Sequence, residues 1–291
     1  MTLELTLFNV AMEVFKTVKS LQDSLSGIWE SKSLGLVPTM GALHEGHLSI
    51  VKRAKSECDL CLATIFVNPT QFDKKEDLDN YPNTLEEDLK ALEESGCDYV
   101  FTPSPEEVYP KNLVSDKFEF DGLDHVMEGK FRPGHFDGVA TIVKKLFEII
   151  KPDKAYFGEK DFQQLQIIKK MVEQEHLPID IVPCPTFREP DGLAMSSRNL
   201  RLTQEQRAAA PMIYEVLTRC KQLFPYNDPK SIKNFVKNEF DKSDILDLEY
   251  FDIADNQTLV TSDKFTPNTS YQAFIAVFAG SIRLIDNISL N

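Results

Sequence analysis

No stretch of 18 apolar residues occurs in the 291-residue chain, so no membrane-spanning helix is expected. The opening residues, MTLELTLFNVAMEVF, lack the basic region and cleavage site of a secretory signal. Positive charge is in deficit: 32 Lys and Arg face 46 Asp and Glu, a formal net charge of −14. Such a surface repels polyanions, which makes duplex DNA and RNA poor partners. An anionic small substrate would need a local basic cluster set against that field. Cysteine is sparse and odd in number, five in all (Cys58, Cys61, Cys97, Cys184 and Cys220). No disulfide-framework spacing links them, and the CDLC pair has no second pair downstream to complete four zinc ligands. Buried thiols in a reducing cytosol are the expectation, and the chain is read as cytoplasmic. Internal repeats and low-complexity segments are missing as well.

What remains is a globular composition, 42% hydrophobic and 27% charged, long enough for one large domain or two ordinary ones. Through residue 175, strand and helix patterns alternate. SLGLVPTM reads as a strand into a turn, LSIVKRAKSE as a helix, and LCLATIFV as a β-rich run buried on both faces of a parallel sheet. TLEEDLKALEESG predicts a helix with a Thr84 cap and a Gly96 stop, and CDYVFTP the strand that follows. GVATIVKKLFEIIKP, KAYFGEKD and FQQLQIIKKMVEQ continue as helix, strand and helix. This alternation predicts an α/β fold with a doubly wound parallel sheet, whose ligands collect at the carboxyl ends of the strands. After HLPIDIVPCPTFREPDG, two helical stretches precede the strands LDLEYFDIA and YQAFIAVFAGSIRLIDNI. They predict a smaller α+β domain, with boundaries at residues 1–178 and 179–291.

The strand-end loops hold the chemistry. PTMGALHEGHLSI places His44 and His47 three apart at a helix start, on one face, beside Gly41 and Gly46. Free N–H groups and the positive dipole end there attract an anion, and the glycines allow close approach to the backbone. The stretch fits a phosphate cradle or a pair of satisfied structural histidines equally well; HEGH has the wrong spacing for a HExxH zinc site. FVNPTQF offers Asn68 and Gln71, and FGEKDFQQ offers Lys160, Asp161 and Gln164. The glutamines suit hydroxyl and carboxylate groups of a substrate, or hydrogen bonds to nearby backbone. Lys160 reads as a phosphate contact or as a solvated surface lysine. GKFRPGHFDG carries Arg132 and His135. AMSSRN supplies the hydroxyls of Ser196 and Ser197 and the forked cation of Arg198, which match phosphate oxygens or a polar turn capping the next helix.

Taken together, PTMGALHEGHLSIV, IFVNPTQF, RPGHFDGVATIV, FGEKDFQQL and REPDGLAMSSRNLRL resemble the signature blocks of the pantothenate synthetase (pantoate–β-alanine ligase) family, in order, from about residue 12 to RLIDNI. The resemblance implies a HIGH-motif nucleotidyltransferase with a Rossmann-like N-terminal domain and a smaller lid domain. It implies the ATP-dependent condensation of pantoate with β-alanine through a pantoyl-adenylate, releasing AMP and pyrophosphate, in a homodimer. Carried over residue by residue, Met40, Gly41, Ala42, Leu43, His44, Glu45, Gly46 and His47 wrap the triphosphate, with His47 as proton donor and His44 beside it. Gly158, Glu159, Lys160 and Asp161, with Met195, Ser196, Ser197 and Arg198, also contact ATP, and Lys160 and Arg198 neutralise phosphate charge. Gln71 and Gln164 hold pantoate, Gln71 also meets β-alanine, and Asn68, Arg132 and His135 lie in matching blocks. Mg²⁺ accompanies ATP, held mainly by phosphate oxygens and water. Asp88 is expected at most to support the site from behind.

Two features depart from the family. About ten residues precede its usual start, a dispensable extension by this reading. Phe187 stands where a small aliphatic residue usually lies against adenine. A tRNA-charging relative would need a basic face that a chain of charge −14 does not offer. A non-catalytic nucleotide sensor would be expected to lose His47, Lys160 or the MSSR run, all of which are present.

Overall fold

A computed structural model describes residues 12–29, 31–72 and 75–291. The expectation that the first ten residues are a dispensable extension lies outside them. Among the described residues nine strands are assigned: β1 (Glu13–Phe15), β2 (Leu34–Thr39), β3 (Leu60–Ile65), β4 (Tyr99–Phe101), β5 (Lys154–Gly158), β6 (Asp180–Cys184), β7 (Leu246–Asp255), β8 (Tyr271–Ala279) and β9 (Ile282–Ser289). The first six form one parallel sheet in the order β1-β4-β3-β2-β5-β6. The order reverses between β2 and β5, which makes that gap the switch point where ligands bind in such sheets.

The gap has a covalent cause. β2 pairs with β3 along its whole length, from Leu34 to Thr39, but with β5 only at Gly35 and Leu36. Pro38 lacks an N–H, so it cannot donate to a ladder bond, and beyond Leu36 the two strands part. Central strands read as continuous apolar runs because both faces are covered: in β3 all residues but Ile65 are buried. The helix His135–Ile150 buries eleven residues, among them Phe136, Leu146 and Phe147 in the core of the large unit. The five cysteines are buried and free, as expected. No described helix is long and apolar enough to cross a membrane.

β7, β8 and β9 form a separate antiparallel sheet. It covers the helices Met212–Leu223 and Pro229–Phe240 through a second core that includes Leu217, Val236 and Ile275. Phe274 and Ala254 instead join the core of the large sheet, so the small sheet is seated on the larger unit. One boundary moves. β6 pairs with β5 from Asp180 to Cys184, so the parallel sheet runs past the division expected at 178/179. The proline-flanked DIVPC tolerates Pro183 because β6 is an edge strand. Gly96 ends the helix Leu85–Glu94 at φ +78°, as read from sequence, but Thr84 caps only in position: its hydroxyl is buried with no partner.

Candidate active site

The β2–β5 gap opens into a cavity of about 250 Å³. A neighbouring cavity of about 340 Å³ shares Lys160, Asp161, Ser196 and Arg198 with it, so the two form one continuous cleft. Four segments separated in sequence meet there. Met40, His44, Gly46 and His47 arrive from the end of β2, and Asn68 and Gln71 from the end of β3. Gly158, Lys160, Asp161 and Gln164 follow β5, and Phe187 and Met195 to Arg198 follow β6.

The motif loop is held from inside the protein. Gly41 (φ +81°) and Ala42 (φ +50°) both have positive φ, and in this turn the successive N–H groups of Ala42 and Leu43 converge as an anion-binding nest. The anion in that nest is Asp88, whose carboxylate accepts from Ala42 N at 2.9 Å and Leu43 N at 2.7 Å. Gly41 N donates to Thr39 Oγ1 at 3.2 Å. These three N–H groups are engaged within the protein, and of the loop only Met40, His44, Gly46 and His47 line the β2–β5 cavity. The glycines serve protein contacts too: a Cβ on Gly41 would lie 3.0 Å from the Asp88 carboxylate, and one on Gly46 would lie 2.9 Å from the His44 ring.

His44 and His47 face each other with ring centroids 4.0 Å apart. The backbone N–H of His44 donates to His47 Nδ1 at 3.3 Å, which leaves the proton of a neutral imidazole on Nε2. Burial, then the neighbouring His44 and the Lys160 charge, push the His47 pKa down to about 3. Burial and Lys160 push His44 down to about 4. Both rings are therefore neutral at pH 7, and His47 presents a hydrogen-bond donor rather than an imidazolium. The Nδ1 of His44 is buried without a hydrogen-bond partner. Lys160 lies 3.8 Å from Asp161 Oδ1 and is mostly buried, so its charge is weakly screened.

The glutamine from β3 is oriented by its neighbours. Asn68 is fully buried and donates to Gln71 Oε1 and to the Gly138 carbonyl, both at 3.1 Å, while Tyr109 donates to Asn68 Oδ1 at 2.7 Å. With Oε1 occupied, the Gln71 amide turns its NH₂ toward Met40 Sδ at 3.1 Å and the cleft. Asn68 thus orients a cleft residue, its own amide being fully engaged. His135 does the same from below. A guanidinium can only donate, so the 3.1 Å contact of Arg132 makes His135 Nε2 the acceptor and leaves Nδ1–H to donate to the Gln71 carbonyl at 2.8 Å. Burial, then the Arg132 charge, lower its pKa to about 4. Neither Arg132 nor His135 lines the β2–β5 cavity; Arg132 lines the neighbouring one.

In the MSSR run, Ser196 Oγ accepts from Arg198 N at 3.3 Å and starts the short 3₁₀ helix Ser197–Arg201. Ser197 Oγ donates to Ala42 O at 2.9 Å. One hydroxyl therefore caps, and the other braces the loop after β2. Phe187 borders the cleft over the helix start at Gly46, with 40% of its surface exposed. Sequence reasoning missed Thr39, Gln163 and Asn287 and undervalued Asp88. Gln163 is buried, donating to the carbonyls of Leu123 and Val126 and accepting from Glu128 N. The only sequence signal for these was a polar residue in an otherwise apolar pattern. Among the described residues no group of three His, Cys, Asp or Glu side chains is placed to hold a metal.

Residues 13–289 match the family described as Pantoate-beta-alanine ligase. The pantothenate synthetase of Christiangramia forsetii is 51% identical over 282 residues, covering 96% of this chain and all of that one. A crystal structure of pantothenate synthetase from Thermus thermophilus superposes with a TM-score of 0.89 at 37% identity, covering 96% of this chain and 99% of that one. The pantoate–β-alanine ligase of Francisella tularensis, complexed with beta-gamma ATP and beta-alanine, gives a TM-score of 0.79 at 36% identity, covering 96% and 98%. By sequence along nearly its whole length and by fold, the chain belongs to the pantoate–β-alanine ligase family.

Proposed function

We propose that the chain joins pantoate to β-alanine by first transferring AMP from ATP to the pantoate carboxylate. A carboxylate resists attack because its charge repels a nucleophile and oxide is a hopeless leaving group. When a carboxylate oxygen bonds to the α-phosphorus and pyrophosphate departs, the acyl carbon gains AMP as a good leaving group. The β-alanine amine then bonds to that carbon, loses its proton, and AMP leaves. Two anions must meet in the first step, so fixed positive groups have to offset the developing charge.

The observation that carries this reading is the gathering of Lys160, Arg198 and the two imidazoles in one cleft of a chain that is acidic overall. Lys160 and Arg198 offset phosphate charge, and His47 donates its Nε2–H to a phosphate oxygen. The triphosphate's charge raises the pKa of both imidazoles on binding. Gln71 and Gln164 hold the pantoate hydroxyls and carboxylate, with Gln71 also near β-alanine. Phe187 flanks the adenine. With no protein cage for a divalent ion among the described residues, Mg²⁺ would arrive with ATP on phosphate oxygens and water, where it would neutralise charge. The C-terminal unit serves as a lid over the cleft, and the enzyme works in the cytoplasm as a homodimer, supplying pantothenate for coenzyme A.

The test is exchange of labelled pyrophosphate into ATP. Exchange that requires pantoate and proceeds without β-alanine supports the adenylation step. Exchange that requires β-alanine, or needs no pantoate, rejects it.

A further inference from the structure

β9 belongs to the small C-terminal sheet, yet its Asn287 reaches into the turn that carries Lys160. The side chain is buried, and its Nδ2 donates to Glu159 O at 2.9 Å and to Lys160 O at 2.8 Å. Those two carbonyls belong to the peptide groups on either side of the Lys160 Cα. Fixing both peptide planes fixes φ and ψ of Lys160, and with them the direction in which its side chain leaves the backbone. The turn needs such help because Glu159–Asp161 is a single turn of 3₁₀ helix, with little hydrogen bonding of its own. The orientation of the Asn287 amide is itself determined: Gln272 Nε2 donates to its Oδ1 at 2.6 Å, so only the NH₂ can face the turn. Beside it, Asp286 accepts from Asn287 N at 2.8 Å and holds Arg188 through two bonds of 2.6 and 3.0 Å.

We propose that Asn287 is a positioning residue for Lys160, and that Gln272 sets the amide that does the positioning. Through this pair the C-terminal sheet aims the cation of the large unit's cleft. The inference rests on the role given above to Lys160.

Asn287→Asp keeps the shape and the acceptor for Gln272 but turns a donor into an oxygen facing two carbonyl oxygens. It should lower the turnover of pantoate-dependent pyrophosphate exchange by about 10²-fold, the scale of an ångström-sized misplacement, with the KM for β-alanine in the full reaction nearly unchanged. Gln272→Glu can only accept, so it should turn the Asn287 amide over and reproduce the loss from a residue outside the cleft. It also serves if Asn287→Asp fails to fold, melting temperature being the check. The decisive comparison is Lys160→Ala with and without Asn287→Asp. If Asn287 acts through Lys160, the double variant is no slower than Lys160→Ala. Wild-type turnover in both Asn287→Asp and Gln272→Glu, or a double variant slower than Lys160→Ala by the full factor of the single change, overturns the proposal. Wild-type turnover in Lys160→Ala instead overturns the role of Lys160 on which it stands.

Discussion

Ser197 and Ala42, 155 positions apart in the chain, are joined by a 2.9 Å hydrogen bond from the serine hydroxyl to the alanine carbonyl. The N–H of the same alanine is held by Asp88, so a left-handed residue is clamped on both of its polar groups. A strained backbone of this kind persists only when its surroundings hold it. The clamp connects the segment after β6 to the loop after β2, across the cleft.

Asp88→Ala would leave the buried N–H of Ala42 and the half-buried N–H of Leu43 without an acceptor. Each orphaned donor costs about 1–3 kcal/mol. We expect a lower melting temperature and a reduced kcat/KM for ATP, with Asp88→Asn in between because it keeps one acceptor oxygen. Wild-type values for Asp88→Ala in both measurements would show that the loop holds itself.

His47→Ala should slow adenylate formation by about 10²-fold, the scale of a lost proton-sharing group. Rapid-quench measurement of pyrophosphate release reads this directly. Near-normal turnover would remove His47 from the chemistry.

Stability should fall in mild acid. His44, His47 and His135 have folded pKa values of about 4, 3 and 4, below the ordinary 6.5, with burial the leading cause in each. The unfolded chain binds these protons first, so the stabilisation is full above pH 6.5 and is lost as pH drops toward 4. Urea midpoints measured from pH 7 to pH 4 should decline, and His44→Asn should flatten the decline. An unchanged slope in that variant would contradict the burial of its charge.

Gln164→Ala should raise the KM for pantoate more than that for ATP. Steady-state kinetics with each substrate varied in turn gives the ranking, and the reverse order would make Gln164 a structural residue.

Arg283 bridges Glu128 of the large unit, at 2.7 Å through two nitrogens, and Glu249 of β7, at 2.6 and 2.8 Å. Burial alone would raise the pKa of Glu128, but the guanidinium beside it holds it below the usual range. Arg283→Ala removes the guanidinium from both carboxylates, leaving Glu128 with Tyr250 and the more distant Arg132, and should destabilise the protein by about 3 kcal/mol. Chemical denaturation measures this, and a change below about 1 kcal/mol would mean that water replaces the guanidinium without penalty.

Periodicity and strand-end logic made most of this molecule legible beforehand. Continuous apolar runs such as LCLATIFV marked the central strands, and strand-to-loop transitions at Met40, Gln71 and Lys160 marked the cleft. What stayed hidden depends on partners distant in the chain. DIVPC carries a proline that speaks against a strand, and only its pairing with β5 makes it one. Asp88 lies among acidic residues at a helix start, where nothing local tells a solvated carboxylate from one buried in a nest of N–H groups. His135 looks like a site residue, yet its position under Gln71 gives it a supporting role that spacing could not distinguish.

The most direct test uses pantoate carrying oxygen-18 in its carboxylate, turned over with ATP and β-alanine. Attack of that carboxylate on the α-phosphorus predicts labelled oxygen in the phosphate of the AMP released. AMP free of label, with the isotope in inorganic phosphate or pyrophosphate, would contradict the transfer of AMP in this cleft.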